Sequence, residues 1–392
     1  MTFILYNLDI REGHAVLASM VDFSKAFNRI NHNTIITKLA DMGVPAWLLK
    51  IVMSFLSNRK LKVKYKSATS NIKDMPGGGP QGTILGMFLF IVLINPIDFR
   101  ESLKIGKHIT TEYGKPIKSI HMKYMDDLTL AEAINLKELK NDVRSLPNPL
   151  EFHRRTGHTL PENAFKTQTK LKEIEQFANI NEMKLNAKKT KVMLFNTATK
   201  SDFMPEVSLE NQIDNLEVVE SIKLLGITIS SDMKWHNHTS EVSRKAMTKL
   251  WMLRRLKKMG ADQKTLLDLY IKQIRSILEY AAPVWHPGLY KMNVEELERV
   301  QKSAFAIIYG RQPYESVLKR NNIKTLDQRR EDLCHKFAIK SSRHPQYSKW
   351  FNPKSKNINT RCKKPFYDVP FKTNRWKNSP IPYMTNLLNQ GG

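Results

Sequence analysis

From residue 15 to residue 21 the chain is apolar except for Ser19, and Asp22 ends the run. That pattern predicts a buried strand with a carboxylate at its C-terminal end. Over residues 31–42, Ile35, Ile36 and Leu39 share one helical face behind an asparagine-rich start, and Gly43 marks the stop. Pro45 then opens a second helix through Leu48, Ile51, Val52 and Phe55. Leu61, Val63 and Tyr65 alternate with lysines, which predicts a half-exposed strand with a basic outer face. Residues 75–82, MPGGGPQG, predict a loop, and the apolar stretch 83–97 predicts a helix covered on most sides.

Residues 117–124 and 128–130 read as two short strands with Met125, Asp126 and Asp127 at the turn between them. The polar stretch 146–162 holds three prolines and reads as a surface insertion. Leu171, Ile174, Phe177 and Ala178 define an amphipathic helix ending near Asn181, followed by a strand at 192–195. Residues 216–219 and 223–229 predict strands of a further small sheet. Past Trp235 the pattern turns helical: Val242, Ala246, Leu250 and Leu253 mark a long helix ending on Arg254, Arg255, Lys257 and Lys258. Helices over 264–278 and 294–309 complete a bundle, and roughly the last forty residues read as extended and basic. The expected units are 1–235, 236–312 and 313–392, the last a basic helical and extended tail.

A chain of 392 residues that is 41% hydrophobic supports two or three globular units. Its 63 Lys and Arg against 37 Asp and Glu, a net charge of +26, point to a nucleic-acid partner, with a membrane surface the weaker option. The longest apolar run, 87–94, is less than half of a spanning helix, and Asp9, Arg11, Glu12 and His14 interrupt the start where a signal peptide needs apolar residues. These features predict a soluble intracellular protein with no membrane partner. Cys334 and Cys362 are too few for a disulfide scaffold, and the eleven histidines lack metal-ligand spacing, so no structural metal is expected.

Asp22, Asp126 and Asp127 are the candidate chemistry. Phosphoryl transfer with two divalent cations needs carboxylates gathered from different strands, because like charges packed closely are tolerable only when cations neutralise them. Taken alone, aspartates are also common at strand ends and turns.

The words around them carry a resemblance. Tyr124-Met125-Asp126-Asp127 resembles the catalytic hairpin of reverse transcriptases, and Val21-Asp22-Phe23-Ser24-Lys25-Ala26-Phe27 resembles the strand with their first metal-binding aspartate. Pro80-Gln81-Gly82, Leu85-Gly86 and Leu89-Phe90 resemble the block between the two. Asn186, Lys188, Lys189 and Thr190, then Lys223-Leu224-Leu225-Gly226, continue in family order. Overall the chain is similar to polymerases of retrotransposons lacking long terminal repeats, over about residues 10–390.

The resemblance implies an α+β fold: a polymerase right-hand palm in 1–235, a helical thumb in 236–312, and a fingers subdomain largely missing. It implies RNA-directed DNA polymerase activity, with an RNA template, a DNA primer and dNTPs as partners, in the nucleus or cytoplasm of a eukaryotic cell. Asp22, Asp126 and Asp127 would hold Mg2+, for which Mn2+ could substitute. Phe23, Ala26, Phe27, Gln81 and Gly82 would face the nucleotide; the bland alternative for Phe27 is a core aromatic. Gly77 to Gly79 would give the backbone room to approach nucleic acid. Lys189 matches a lysine that protonates the leaving pyrophosphate, or else is a solvent-facing lysine. Leu224, Leu225 and Gly226 would contact the primer, and Arg254, Arg255, Lys257 and Lys258 the nucleic-acid backbone, unless they are ordinary surface cations. Phe366, Tyr367, Phe371 and Trp376 either stack bases or pin the tail.

Three departures stand out. Asn28 replaces a frequent second aspartate, Gly79 replaces a valine, and only 21 residues precede Asp22 where the family has its fingers. The last departure predicts a truncated copy, with a catalytically inactive remnant that only binds RNA or RNA–DNA duplex as the alternative function.

Overall fold

The computed structural model describes residues 14–24, 26–75, 77–79, 82–97, 119–124, 127–135, 166–195, 216–354 and 364–390, with short pieces at 4–5, 8, 104–105 and 109–110. The expected insertion 146–162 and residues Gln81, Asp126 and Cys362 lie outside them. No helix among the described residues is long and apolar enough to cross a membrane. The fold is mixed α+β.

Its centre is strand β1, His14–Val21. The other strands of its sheet are β2 (Ser119–Tyr124), β3 (Asp127–Asn135), β4 (Lys191–Phe195) and β5 (Glu217–Val218). The order is β5-β4-β1-β3-β2, antiparallel except for the β4–β5 pair. A strand apolar on both faces has to lie inside a sheet, and β1 is hydrogen-bonded along both edges. Residues 216–219 therefore do not build the second sheet expected of them: Val219 N–H donates to Val192 O at 2.8 Å, and the segment extends the main sheet. The second sheet is a lone hairpin, β6 (Ser221–Leu224) and β7 (Ile227–Ser230), so the expected strand 223–229 is bent in its middle.

Alternation along β1 divides the core in two. Leu17 and Val21 join Leu128, Leu130 and Val192 on one face, with Ile35, Leu39, Leu89, Phe90 and Ile174 above them. Those last residues come from α1 (His32–Asp41), α3 (Ile84–Ile94) and α4 (Lys166–Ile180); α2 (Ala46–Leu56) adds Val52 and Leu56. Asn31 caps α1, its side chain accepting from the N–H groups of Asn33 at 2.9 Å and Thr34 at 3.2 Å. The buried Glu132 accepts from Thr167 N–H at 2.9 Å and Thr167 Oγ1 at 3.1 Å, so the first turn of α4 supplies its hydrogen-bond donors.

Two expectations fail on this side. Helix α3 is covered on one flank only: Leu89, Phe90 and Leu93 are buried, while Ile84, Met87, Phe88 and Ile91 form an exposed stripe at helical spacing. The lysine-rich strand is not half-buried either. Residues 60–74 form an arm whose short paired segments are exposed on both faces, since no described element packs beneath it.

The other sheet face, with Val16, Ala18, Met20, Ala131 and Phe195, packs towards the C-terminal helices. Helix α5 (His236–Lys258) buries Val242, Ala246, Leu250 and Leu253 at the expected spacing. It is followed by α6 (Gln263–Leu269), a π turn (Tyr270–Arg275), α7 (Ser276–Glu279), α8 (Ala282–Trp285), α9 (Lys291–Tyr309), α10 (Tyr314–Arg320) and α11 (Leu326–Arg343). The end of the chain is not extended. Helix α12 (Asn374–Lys377) and helix α13 (Pro380–Gln390) bury Trp376, Ile381, Met384 and Leu388, because the last three of these repeat at helical spacing. Of the four tail aromatics, Trp376 is buried and Phe366 packs on Phe351, which pins the segment, while Tyr367 and Phe371 remain exposed.

Two histidines lie inside this half. Burial pushes His238 down to about 4, and burial together with the nearby Arg330 pushes His286 down to about 3. Both stay neutral in the folded chain, while the unfolded chain takes up protons near the ordinary histidine value of 6.5. Their contribution is therefore complete above that value and is lost as pH falls towards 4. The melting temperature should drop across this window, and replacing both with Gln should flatten the drop; an unchanged slope would show that other groups control it.

Candidate active site

Asp22 follows the last residue of β1, and two neighbours hold it in place. Its N–H donates to Thr190 Oγ1 at 3.2 Å, and its carbonyl accepts from Asn186 N–H at 2.8 Å. Asn186 also turns the chain after Leu185, its carbonyl accepting from Lys189 N–H at 3.1 Å and Thr190 N–H at 2.7 Å. An Asn-to-Thr turn is thus welded to the end of β1.

The strand register does the rest. The β1–β3 ladder ends on Val21 opposite Leu128, and one more step sets Asp22 against Asp127. On the other edge the ladder ends with Met20 opposite Lys191, the turn at 187–189 interrupts it, and pairing resumes with Phe23 opposite Leu185; Lys189 reaches Asp22 from that turn. Asp127 in turn pairs with Tyr124, and Met125 and Asp126, which lie between them in the chain, are outside the described residues. Asp22, Asp127 and Tyr124 accordingly stand in one row across the sheet end, with the side chain of Lys189 beside it from the adjoining turn. Asp127 is the first residue of β3 rather than part of the turn.

Within this row Asp22 Oδ2 is buried and accepts no hydrogen bond. Lys189 Nζ stands 4.0 Å away on a side chain that is 71% exposed, too far for a hydrogen bond. A buried carboxylate oxygen with no hydrogen-bond donor and only an exposed lysine at 4.0 Å as counter-charge fits a closely held cation. Among the described residues no three His, Cys, Asp or Glu side chains gather to hold a metal, and Asp126 is not one of those residues.

The remaining candidates fall around the row. Phe23 and Ala26 are buried in the core, which leaves only their backbone for a ligand. Phe27 is partly buried, its ring 4.7 Å from that of Phe90. The glycines do allow a close approach, but to the chain itself. Gly78 N–H donates to Ile30 O at 2.9 Å, Gly79 N–H donates to Phe27 O at 2.6 Å, and a Cβ on Gly78 would lie 3.1 Å from the Asn28 backbone. Gly82 is exposed with open space around it.

Leu224 pairs with Ile227 across a two-residue turn in which Leu225 (φ 47°) and Gly226 (φ 82°) are both left-handed. Two contacts fix this turn. Tyr280 Oη donates to Leu225 O at 3.0 Å, and the Tyr280 ring would lie 3.2 Å from a Cβ on Gly226. One pair back from the turn, Glu241 of α5 accepts from Lys223 at 2.7 Å, Lys245 at 2.5 Å and Thr228 Oγ1 at 2.5 Å, which holds its carboxyl down at about 2. Of the basic cluster, Arg254, Arg255 and Lys258 are exposed, while Lys257 donates to the carbonyls of Ile307 and Ile308 near the end of α9. Sequence reasoning named Thr190 within a motif but gave it no role, and nothing in the sequence singles out Tyr280.

Carboxylates brought from two strands to one sheet end, beside a lysine, define a site suited to phosphoryl transfer. The family model for reverse transcriptase (RNA-dependent DNA polymerase) matches residues 6–229, and the chain belongs to that family. It is 21% identical over 352 residues to the RNA-directed DNA polymerase from mobile element jockey of Drosophila melanogaster, covering 88% of this chain and 34% of that protein. It is 23% identical over 295 residues to a protein of the same organism described as a probable RNA-directed DNA polymerase from transposon BS, covering 74% and 28%. The chain spans about a third or less of the length of those relatives. Among solved structures, telomerase from Candida tropicalis with a fragment of telomeric RNA superposes with a TM-score of 0.35 and 10% identity, covering 85% of this chain and 43% of that one, too loosely to carry an argument.

The crowding predicts a contrast between two left-handed glycines. Gly82→Ala should cost about 1 to 2 kcal/mol of backbone strain. Gly78→Ala should cost measurably more, since it adds a backbone collision to the same strain. Denaturant titration of both variants checks this; equal losses would show that the 77–79 loop yields.

Proposed function

We propose that the chain is the palm and thumb of an RNA-directed DNA polymerase, adding dNTPs to the 3′-hydroxyl of a DNA primer on an RNA template. The observation that carries the reading is Asp22 set against Asp127 at one sheet end with Lys189 beside them, and Asp126 adjacent in the chain. The five-stranded sheet with its hairpin β2–β3 is the palm, the helices α5 to α9 are the thumb, and the helices from α10 onward belong to the C-terminal tail.

Asp22, Asp126 and Asp127 are the residues that would hold Mg2+. When bound, the two ions acidify the attacking hydroxyl and stabilise charge on the leaving oxygens. The chain's own groups do the positioning. Thr190 and Asn186 fix the backbone at Asp22 from both sides of its peptide. Lys189 holds a proton on the far side of Asp22 from the hairpin, where it serves the leaving pyrophosphate. Phe27, backed by Phe90, limits the space under the sugar. The turn Leu224-Leu225-Gly226, held by Tyr280, supports the primer end. Arg254, Arg255 and Lys258 face phosphates, while Lys257 is engaged by α9.

Asp22→Asn should lower primer extension by at least about 100-fold, equivalent to about 2.7 kcal/mol of transition-state stabilisation. Lys189→Ala should cost about tenfold in rate with little change in primer affinity. Equal extension by wild type and Asp22→Asn, or none by either with Mg2+ or Mn2+, would leave a chain that only binds nucleic acid and would sink the reading.

Replacing Arg254, Arg255 and Lys258 together by Gln should reduce the slope of log affinity against log salt by about 0.7 to 0.9 for each phosphate that the variant no longer neutralises. Lys257→Gln should instead lower stability and leave the salt slope near its original value.

A further inference from the structure

The hairpin β2–β3, the turn at Leu225 and the segment after α11 enclose a cavity of about 460 Å³. Such a volume is typical of small-molecule sites, which run from about 300 to 1,000 Å³. Its near wall is the sheet face carrying Met122, Tyr124, Asp127 and Thr129. Its far wall holds Tyr347 and Trp350, from a part of the chain outside residues 6–229 that the family model matches.

We propose that Tyr347 and Trp350 form an aromatic wall of the primer-end site, against which the 3′-terminal base of the primer strand packs. The inference rests on the polymerase reading above and adds to it a role for the C-terminal segment.

Three observations select this occupant. The cavity begins where the row of site residues ends: Asp22 and Asp127 lead to Tyr124, which lines it. A triphosphate served by Lys189 lies on the opposite side of Asp22, so the nucleotide on the Tyr124 side is the one bearing the attacking hydroxyl. The second observation is that the wall is already ordered. His344 stacks on Tyr347 with ring centroids 4.4 Å apart, Tyr347 packs on Trp350 at 4.8 Å, and the backbone is pinned by Ser348 N–H to His344 O at 2.8 Å and Trp350 N–H to Tyr347 O at 3.0 Å. Rings held in place lose little entropy on binding, and an aromatic face accepts any base. The third is that Leu225, at the turn supported by Tyr280, borders the same cavity and brings an exposed apolar side chain to it. The two packed rings give a base an apolar face beside Asp127; of the two lysines that line the same cavity, Lys123 is engaged by the carbonyls of Ile94 and Ile97, and Lys349 suits the phosphates that flank a primer base.

The test uses the full chain and a DNA primer annealed to RNA, with 2-aminopurine as the 3′-terminal primer base and no dNTP present, so that binding is read without turnover. Wild type should quench the 2-aminopurine on binding. The double variant Tyr347→Ala, Trp350→Ala should lose the quenching and raise the KM for primer–template by about tenfold, with the KM for dNTP and kcat changed by less than about threefold. Tyr347→Phe with Trp350→Phe should restore both, which separates stacking from a general loss of structure. Duplex binding by wild type without quenching, or a double variant with unchanged or improved primer KM, would overturn the inference and leave the polymerase reading intact. Failure of wild type both to bind the duplex and to extend the primer would overturn the two together.

Discussion

The rest of the structure depends on β1 being hydrogen-bonded along both of its edges. A strand with apolar side chains on both faces cannot be an edge, and once β3 and β4 flank it their registers are fixed, because a slip of one residue would turn every side chain to the wrong face. Fixed register on the β3 side sets Asp22 against Asp127, and the turn after Asn186 brings Lys189 to Asp22 from the β4 side, though all three are far apart in sequence. The site is therefore a by-product of core packing. Thr190 and Asn186 lock the residue that follows β1 in that alignment.

The two faces of the sheet have different tasks. One carries α1, α3 and α4 and acts as a platform, with Lys123 donating to the carbonyls of Ile94 at 3.1 Å and Ile97 at 3.0 Å to close the end of α3. The other joins the sheet to the helical half in a continuous core that runs from Val16 and Met20 to Leu253, Trp285 and Trp376. The hairpin β6–β7 is tied to α5 through Glu241, which accepts from Lys223 and Thr228, and through His238 and Asn237, while Tyr280 holds its tip. The left-handed Leu225 is strained, and these ties are what the surrounding structure supplies to hold it.

Cations in this strongly basic chain are not all available to a polyanion. Lys123 and Lys257 are bound to carbonyls at helix C-termini, where a positive charge meets the negative end of the helix dipole. Arg330 is fully buried against Trp285, with its Nε donating to His286 at 3.4 Å, and the desolvation lowers its affinity for a proton. Net charge thus announces the kind of partner but overcounts the contacts.

By itself the sequence determined a good deal. The apolar run to Asp22, the spacing in α1, α4, α5 and α9, and the order of the short blocks are local signals, since periodicity and chain neighbours suffice to produce them. What escaped it depends on partners distant in the chain. Whether residues 216–219 extend the main sheet turns on an open edge of β4; whether Ile84, Met87, Phe88 and Ile91 are covered turns on what lies across from α3. The packing of Gly78 against Asn28, the support of Gly226 by Tyr280 and the cavity wall at Tyr347 and Trp350 pair residues separated by tens to hundreds of positions. No window of local sequence contains both members of such a pair, so only the tertiary structure could decide them.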